Sequence, residues 1–298
     1  LENNKSSGDT PEKMLPDTNN RMQGWAEDSS VVLYRKRGFK RVEGWSPALA
    51  FMLVSEVAAI QKAQNCTGPV CEIGVHHGQL LILLHLCTSG EEKTIGYDLF
   101  DPQASYPYPS GKGNKQIVDA HLRNFGCDGS RINLYQTNSL DLTPERIVSE
   151  CNGHPRLFSI DGGHTTEVVF NDLILAERSI SSKGVVILDD LFSEPFPEVG
   201  EGFYRFLHES GGLFPFLIGG NKVFLARSDE DADWYLRRLS TKRKGYETRI
   251  TRFCGRQVMV VLKPYYPVRY ALRSSGAWRA VRNTAAGSLL KKVLGRSS

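Results

Sequence analysis

Residues 70–79 read VCEIGVHHGQ, and the rest of the chain falls into place around them. A short apolar run, VCEI, stops at Gly74. A second glycine, Gly78, stands where a strongly apolar stretch begins. This order is that of a buried strand, a tight turn and the start of a helix over 77–86. Gly74 permits the turn, and Gly78 lets a ligand approach the backbone at a helix N-terminus. The spacing from Glu72 to Gly78 is E-x-G-x-x-x-G, which differs from the G-x-G-x-x-G dinucleotide fingerprint. A carboxylate beside such a turn suits the ammonium of a methionine moiety better than a pyrophosphate. Taken alone, the motif is also explained by turn chemistry.

Outward from this unit the same alternation repeats. Upstream, residues 47–65 carry an apolar helical pattern with Ser46 in the N-cap position. Downstream, strands are predicted at 94–100, 132–137, 157–161 and 185–188. Helices are predicted at 115–125, 144–150 (Thr143 as N-cap, Pro144 in the first turn), 166–179 and 198–209. This is the pattern of a doubly wound, mostly parallel α/β sheet with helices on both faces. The last third changes character. Residues 216–218 and 222–226 flank Gly219-Gly220-Asn221 as a hairpin, 229–240 is helical, and 248–253 with 257–262 reads as a second hairpin. The organisation predicted is a flexible leader (1–30), one catalytic-sized domain (31–227), a helix-plus-hairpin extension of that domain (228–264) and a basic tail (265–298).

Composition sets the class. The 298 residues are 40% hydrophobic and 23% charged, ordinary for a soluble globular protein. The apolar runs at 47–60 and 80–87 are too short and too interrupted to span a membrane, so a cytoplasmic location is expected. Six cysteines are scattered without a C-x-x-C pair, which favours reduced thiols and gives no zinc cluster. The net charge is +4, but eight basic and no acidic residues follow from Lys263 onward, leaving the remainder mildly acidic. That tail interleaves Tyr, Trp and Arg. It reads either as a solvated extension or homo-oligomer contact, or as a seat for an anionic acceptor or a peripheral membrane surface. No recognised module accompanies the charge, which argues against a nucleic-acid partner.

The strand ends carry the chemistry. Asp98, about twenty residues past the glycine loop, is placed to accept hydrogen bonds from a ribose diol. Asn138 and Ser139, after the third strand, suit an adenine edge. Together with Glu72, Gly74 and Gly78 they fit an adenosyl cofactor, although Asp98 also reads as a simple strand-end cap. Asp161 and His164 end the fourth strand; Asp189 and Asp190 end the fifth. Carboxylates gathered at one edge repel each other and raise each other's pKa unless a cation lies between them. A hard dication, Mg²⁺ or alternatively Mn²⁺ or Ca²⁺, would resolve that conflict. Coordination can lower the pKa of a bound water from 15.7 to about 7, and an alcohol would be acidified similarly. His164 is then the candidate general base. Read separately, Asp189-Asp190 could cap the next helix, His164 could be a loop histidine, and Gly162-Gly163 a turn.

Together, E-x-G-x-x-x-G at 72–78, Asp98, IDGGH at 160–164, VVILDD at 185–190 and GGNKVFLA at 219–226 resemble class I S-adenosylmethionine (SAM) dependent methyltransferases. More narrowly they are similar to bacterial sugar O-methyltransferases of the macrolide and aminocoumarin type, over about residues 45–227. The resemblance implies a seven-stranded Rossmann-like sheet, SAM as cofactor (with Asp161 also at its site) and Mg²⁺ bound by Asp161, Asp189 and Asp190. It also implies His164 as base, with Asp161 beside it in catalysis. Where an aromatic residue often lies two positions beyond that histidine, this chain has Thr166. The function expected is Mg²⁺-dependent methyl transfer from SAM to a hydroxyl of a sugar, glycosylated natural product or surface glycan. A phenol or catechol acceptor, or a non-catalytic SAM-fold binding protein, are the alternatives. Two loops are candidate lids: 101–114, with two tyrosines, and 191–200, with Phe192 and Phe196.

Overall fold

The computed structural model describes residues 28–100, 112–263 and 284. Nearly all of the predicted leader, the first candidate lid and the basic tail lie outside the described residues. The chain divides into two compact units. By its described residues the larger holds 28–240 with 250–260. In the smaller, Arg243 donates from Nη1 to Thr248 Oγ1 (3.3 Å). The site lies wholly in the larger unit.

Its elements follow the predicted alternation closely: α1 (Ser29–Lys36), α2 (Ala48–Ala63), β1 (Val70–Ile73), α3 (Gln79–Leu86), β2 (Thr94–Asp98), α4 (Lys115–Asn124), β3 (Ile132–Gln136), α5 (Pro144–Cys151), β4 (Leu157–Ile160), α6 (Thr166–Ser179), β5 (Val185–Asp189), α7 (Pro197–Glu209), β6 (Phe214–Gly219), β7 (Lys222–Ala226), α8 (Asp229–Leu236), β8 (Glu247–Phe253) and β9 (Arg256–Leu262). Two local readings need correction. Ser46 does not cap α2; Pro47 occupies the N-cap, extended and without a side-chain bond, while the Ser46 amide donates to Gln79 Oε1. The leader expected over 1–30 gives way two residues early, Ser29 and Ser30 opening α1 with Asp28 capping it through the Ser30 amide. Thr143 caps α5 as predicted, accepting from the Arg146 amide.

The sheet order is β3-β2-β1-β4-β5-β7-β6-β9-β8, nine strands where the resemblance implies seven, because the second hairpin joins the same sheet. The pairings from β3 through β5 are parallel, and β7 is antiparallel to both β5 and β6. Strand order reverses between β1 and β4, so the loops after these strands diverge and leave a crevice at their C-terminal ends. Alternation along the strands sorts the two faces. Cys71, Ile73, Phe158, Ile160, Val186 and Leu188 belong to one apolar cluster with Ile147 of α5, Leu173 of α6 and Phe203 of α7. Glu72 and Ser159 take the intervening positions. Among the described residues no helix is long and apolar enough to cross a membrane. None of the six cysteines is in a disulfide.

One close approach locks the crevice. Gly74 has φ +88°, and a Cβ there would lie 1.8 Å from the Asp161 carbonyl oxygen. The Asp161 amide in turn donates to the Ile73 carbonyl (2.8 Å). The loops after β1 and β4 therefore touch backbone to backbone, which only glycine allows. Gly74→Ala should destabilise the fold by at least about 2 kcal/mol, combining left-handed strain with a clash that has no flexible side chain to yield. Urea unfolding measures this; a loss under about 1 kcal/mol would show that the loops separate freely.

Candidate active site

The crevice is a cavity of about 910 Å³, toward the upper end of what small-molecule sites occupy. Its walls include Glu72, Gly74, Asp98, Asn138, Ser139, Asp161, His164, Asp189 and Asp190, so of the residues singled out in the sequence all but Gly78 share one space.

At the β1 end of the cavity, Glu72 is 2% exposed and its Oε2 has no hydrogen-bond partner among the described residues. Burial, reinforced by Asp161, holds this carboxyl well above the ordinary range. Such an oxygen is costly unless a ligand donates to it. Gly78 takes φ +84° as N-cap of α3. Asp98 is partly committed to its own loops: Oδ2 accepts from the His76 amide (2.8 Å) and Oδ1 from the Phe100 amide (2.6 Å). Both readings of Asp98 thus coexist, since each carboxylate oxygen accepts more than one hydrogen bond. Asn138 caps the short turn Ser139–Asp141 through the Leu140 amide, and Asn171 donates to the Ser139 carbonyl (3.1 Å).

At the other end, Asp190 has φ +60° and its Oδ2 lies 3.2 Å from His164 Nε2. Its Oδ1 accepts from Asn221 Nδ2 (2.5 Å), and its amide donates to the Asn221 carbonyl. Burial works against the Asp190 charge, yet His164 and Asn221 outweigh it and hold its pKa below the usual value. The His164 ring stacks on Phe196 (3.9 Å between centroids, 15° between planes), so the second candidate lid packs over the histidine. Neither His164 ring nitrogen has a well-aligned hydrogen-bond partner among the described residues, the Nε2–Asp190 approach being a close contact of 3.2 Å.

The three carboxylates proposed as a metal set are drawn together, though not with equal freedom. Asp161, His164 and Asp190 present ligand atoms within 4.8 Å of one another. Asp189 turns instead to Lys222, whose fully buried ammonium hydrogen-bonds its Oδ2 and lies 3.9 Å from Asp161 Oδ2. Asp161 is raised well above the usual carboxylate range, by burial first and Asp189 next. Lys222 is a partner of the acid cluster that sequence reasoning passes over. The only available signal is its place opposite Asp189 once β7 is set antiparallel to β5. Gly44, Trp45 and Ser46 also line the cavity unannounced. Trp45 is 71% exposed, and its ring lies 5.0 Å from that of His76.

Residues 71–191 match the family profile described as "Methyltransferase domain". Among solved structures, the O-methyltransferase NovP is similar at TM-score 0.50 and 16% identity, over 58% of this chain and 77% of that one. CalS11, described as a TDP-rhamnose 3'-O-methyltransferase of calicheamicin biosynthesis, gives TM-score 0.45 at 19% identity over 59% and 79%. TomG, an O-methyltransferase from Streptomyces achromogenes solved with SAM, gives 0.43 at 12% identity over 67% and 88%. No curated protein matches the chain in sequence. The profile and the NovP likeness together identify the fold as the Rossmann-like methyltransferase fold.

Beneath the Ser139–Asp141 turn lies a buried acid absent from the sequence reading. Asp172 of α6 is fully buried, accepts from Asn171 and Ser139, and leaves Oδ2 without a partner among the described residues. Burial pushes its pKa from 3.8 up to about 7 against those hydrogen bonds. Its folded value exceeds its unfolded one, so its protonation favours the fold fully below pH 3.8 and that contribution is lost as pH rises through about 7. Asp172→Asn should flatten this decline, which is worth at most about 1.4 kcal/mol per pH unit in the window. Melting temperatures of both proteins across that range provide the comparison; parallel curves would show Asp172 ionising normally.

Proposed function

We propose that this chain, whose residues 71–191 form a methyltransferase domain, transfers the methyl group of SAM to a hydroxyl of a sugar, glycosylated natural product or surface glycan. One juxtaposition carries the reading. A buried, unpartnered carboxylate oxygen on Glu72 and an Asp190–His164 pair with an unpartnered ring nitrogen line the same cavity at the β1/β4 switch point.

Glu72 fits the α-ammonium of SAM, the donor its orphaned oxygen lacks. Asp98 retains acceptor capacity for the ribose hydroxyls, and Asn138 and Ser139 border the adenine. The sulfonium methyl is already activated, so the task left to the protein is to present an oxygen in line with it and remove its proton. Asp190 Oδ2, 3.2 Å from His164 Nε2, is placed to favour the tautomer protonated at Nε2, which leaves the Nδ1 lone pair free. His164 Nδ1 takes the acceptor proton as the oxygen attacks, and Asp190 stabilises the imidazolium that forms. Phe196, stacked on the ring, holds its plane and helps exclude water.

The residues present also fit Mg²⁺ in a reduced form. Asp161 and Asp190 would hold it, since Mg²⁺ is commonly bound by one or two carboxylates with other oxygens completing its shell. Bound there, it would supply Lewis acidity that lowers the pKa of the acceptor hydroxyl. Asp189, included in the sequence-derived set, is engaged by Lys222.

Calorimetric titration with SAM and turnover against a panel of sugar and phenolic acceptors test the proposal. Glu72→Gln should weaken SAM at least tenfold. His164→Ala should leave SAM affinity within twofold while lowering kcat by about 10²–10⁴-fold, the usual contribution of a positioned acid or base. A wild-type protein that fails to bind SAM sinks the proposal. Methylation of phenols but not sugars overturns the acceptor.

A further inference from the structure

Resting on that reading of the site, we propose that Lys222 is the resident cation of the acid cluster: it withdraws Asp189 from metal ligation and leaves a two-carboxylate site at Asp161 and Asp190.

The geometry is specific. Lys222 opens β7 and pairs directly across from Asp189, the last residue of β5. The preceding turn, Gly220-Asn221, has φ of +63° and +65°. Positive φ at both central residues marks the tight hairpin turn that fixes register, and a slip of one residue would send Lys222 to the opposite face. The side chain is 0% exposed, and the described residues facing its ammonium are acidic: Asp189 in hydrogen-bond contact, Asp161 at 3.9 Å, and Glu72 beyond them.

Charge counting gives the consequence. Asp161, Asp189 and Asp190 without a cation would carry three negative charges in a buried wall, an arrangement that demands a metal. With Lys222 the same wall carries two, which a dication matches without being required. The ammonium also lies close enough to Asp161 to repel an incoming cation. The cluster is therefore stable without metal and binds a divalent ion weakly, with Asp189 outside the coordination shell.

Mn²⁺ is the probe, because its paramagnetic resonance signal separates free from bound ion independently of turnover. In the wild-type protein Mn²⁺ should bind weakly but measurably, and Asp189→Asn, which takes a charge from the wall without taking a ligand, should weaken that binding by less than tenfold. Lys222→Met keeps the length of the side chain and removes the charge. It should bind Mn²⁺ at least tenfold more tightly than wild type, and Mn²⁺ should raise its melting temperature more than that of wild type. A Lys222→Met protein with wild-type Mn²⁺ affinity overturns the assignment. So does an Asp189→Asn protein that loses Mn²⁺ binding tenfold, a variant that decides the matter even where Lys222→Met fails to fold. SAM titration of the wild type runs beside these measurements: absence of SAM binding with the Mn²⁺ pattern intact removes the proposed function and leaves the role of Lys222 standing.

Discussion

Strands β1, β4 and β5 run side by side and parallel, so Glu72, Asp161, Asp189 and Asp190 arrive at the same buried wall. Taking four carboxylates out of water is the constraint that the rest of this region answers. Each is answered differently. Asp189 is neutralised by Lys222, Asp190 is held by His164 and Asn221, Asp161 shares Lys222 at longer range, and Glu72 Oε2 has no donor among the described residues. The β6–β7 hairpin is thus more than an antiparallel edge. Its turn sets the register that brings Lys222 opposite Asp189, and Asn221 from the same turn clamps Asp190 by both side chain and carbonyl. A few residues of hairpin supply two of the three counterweights.

How much of this was legible depends on whether the information was local. The alternation of apolar runs and helical periods placed the strands within one or two residues, because each strand of a parallel sheet is buried on both faces and reads as an uninterrupted apolar word. Strand ends were legible for the same reason: polar residues directly after such a run have one place to go. Lys222 was not legible, since KVFLA looks like a strand beginning at the surface, and only pairing with β5 buries its first residue. Asp172 looks like a solvated helix acid. Its burial comes from the fit of α6 against the Ser139 turn and Gly162, whose added Cβ would lie 3.2 Å from Asp172 Oδ2. Helix α1 was missed because SSVVLYRK buries only Val31 and Tyr34, too few positions for a recognisable stripe.

The distribution of unsatisfied and strained groups bears on whether the cavity acts or merely persists. A buried carboxylate oxygen without a donor costs on the order of 1–3 kcal/mol, and a non-glycine residue in the left-handed region a comparable amount. Glu72 carries the first defect and Asp190 the second, and both line the same cavity. A scaffold serving only to pack β1 would be better served by Leu or Gln at position 72, since either removes the charge that burial penalises. The same carboxylate becomes favourable once an ammonium enters, because desolvation has already been borne by the fold and the low dielectric strengthens the pairing. Strain at Asp190 has a parallel use: the left-handed turn aims its carboxylate back at His164, where an ordinary strand end would direct it along the sheet. Defects that a cationic cofactor and a proton-accepting imidazole would both relieve are what a transfer site requires before its substrates arrive, and they distinguish this cavity from a gap left by packing.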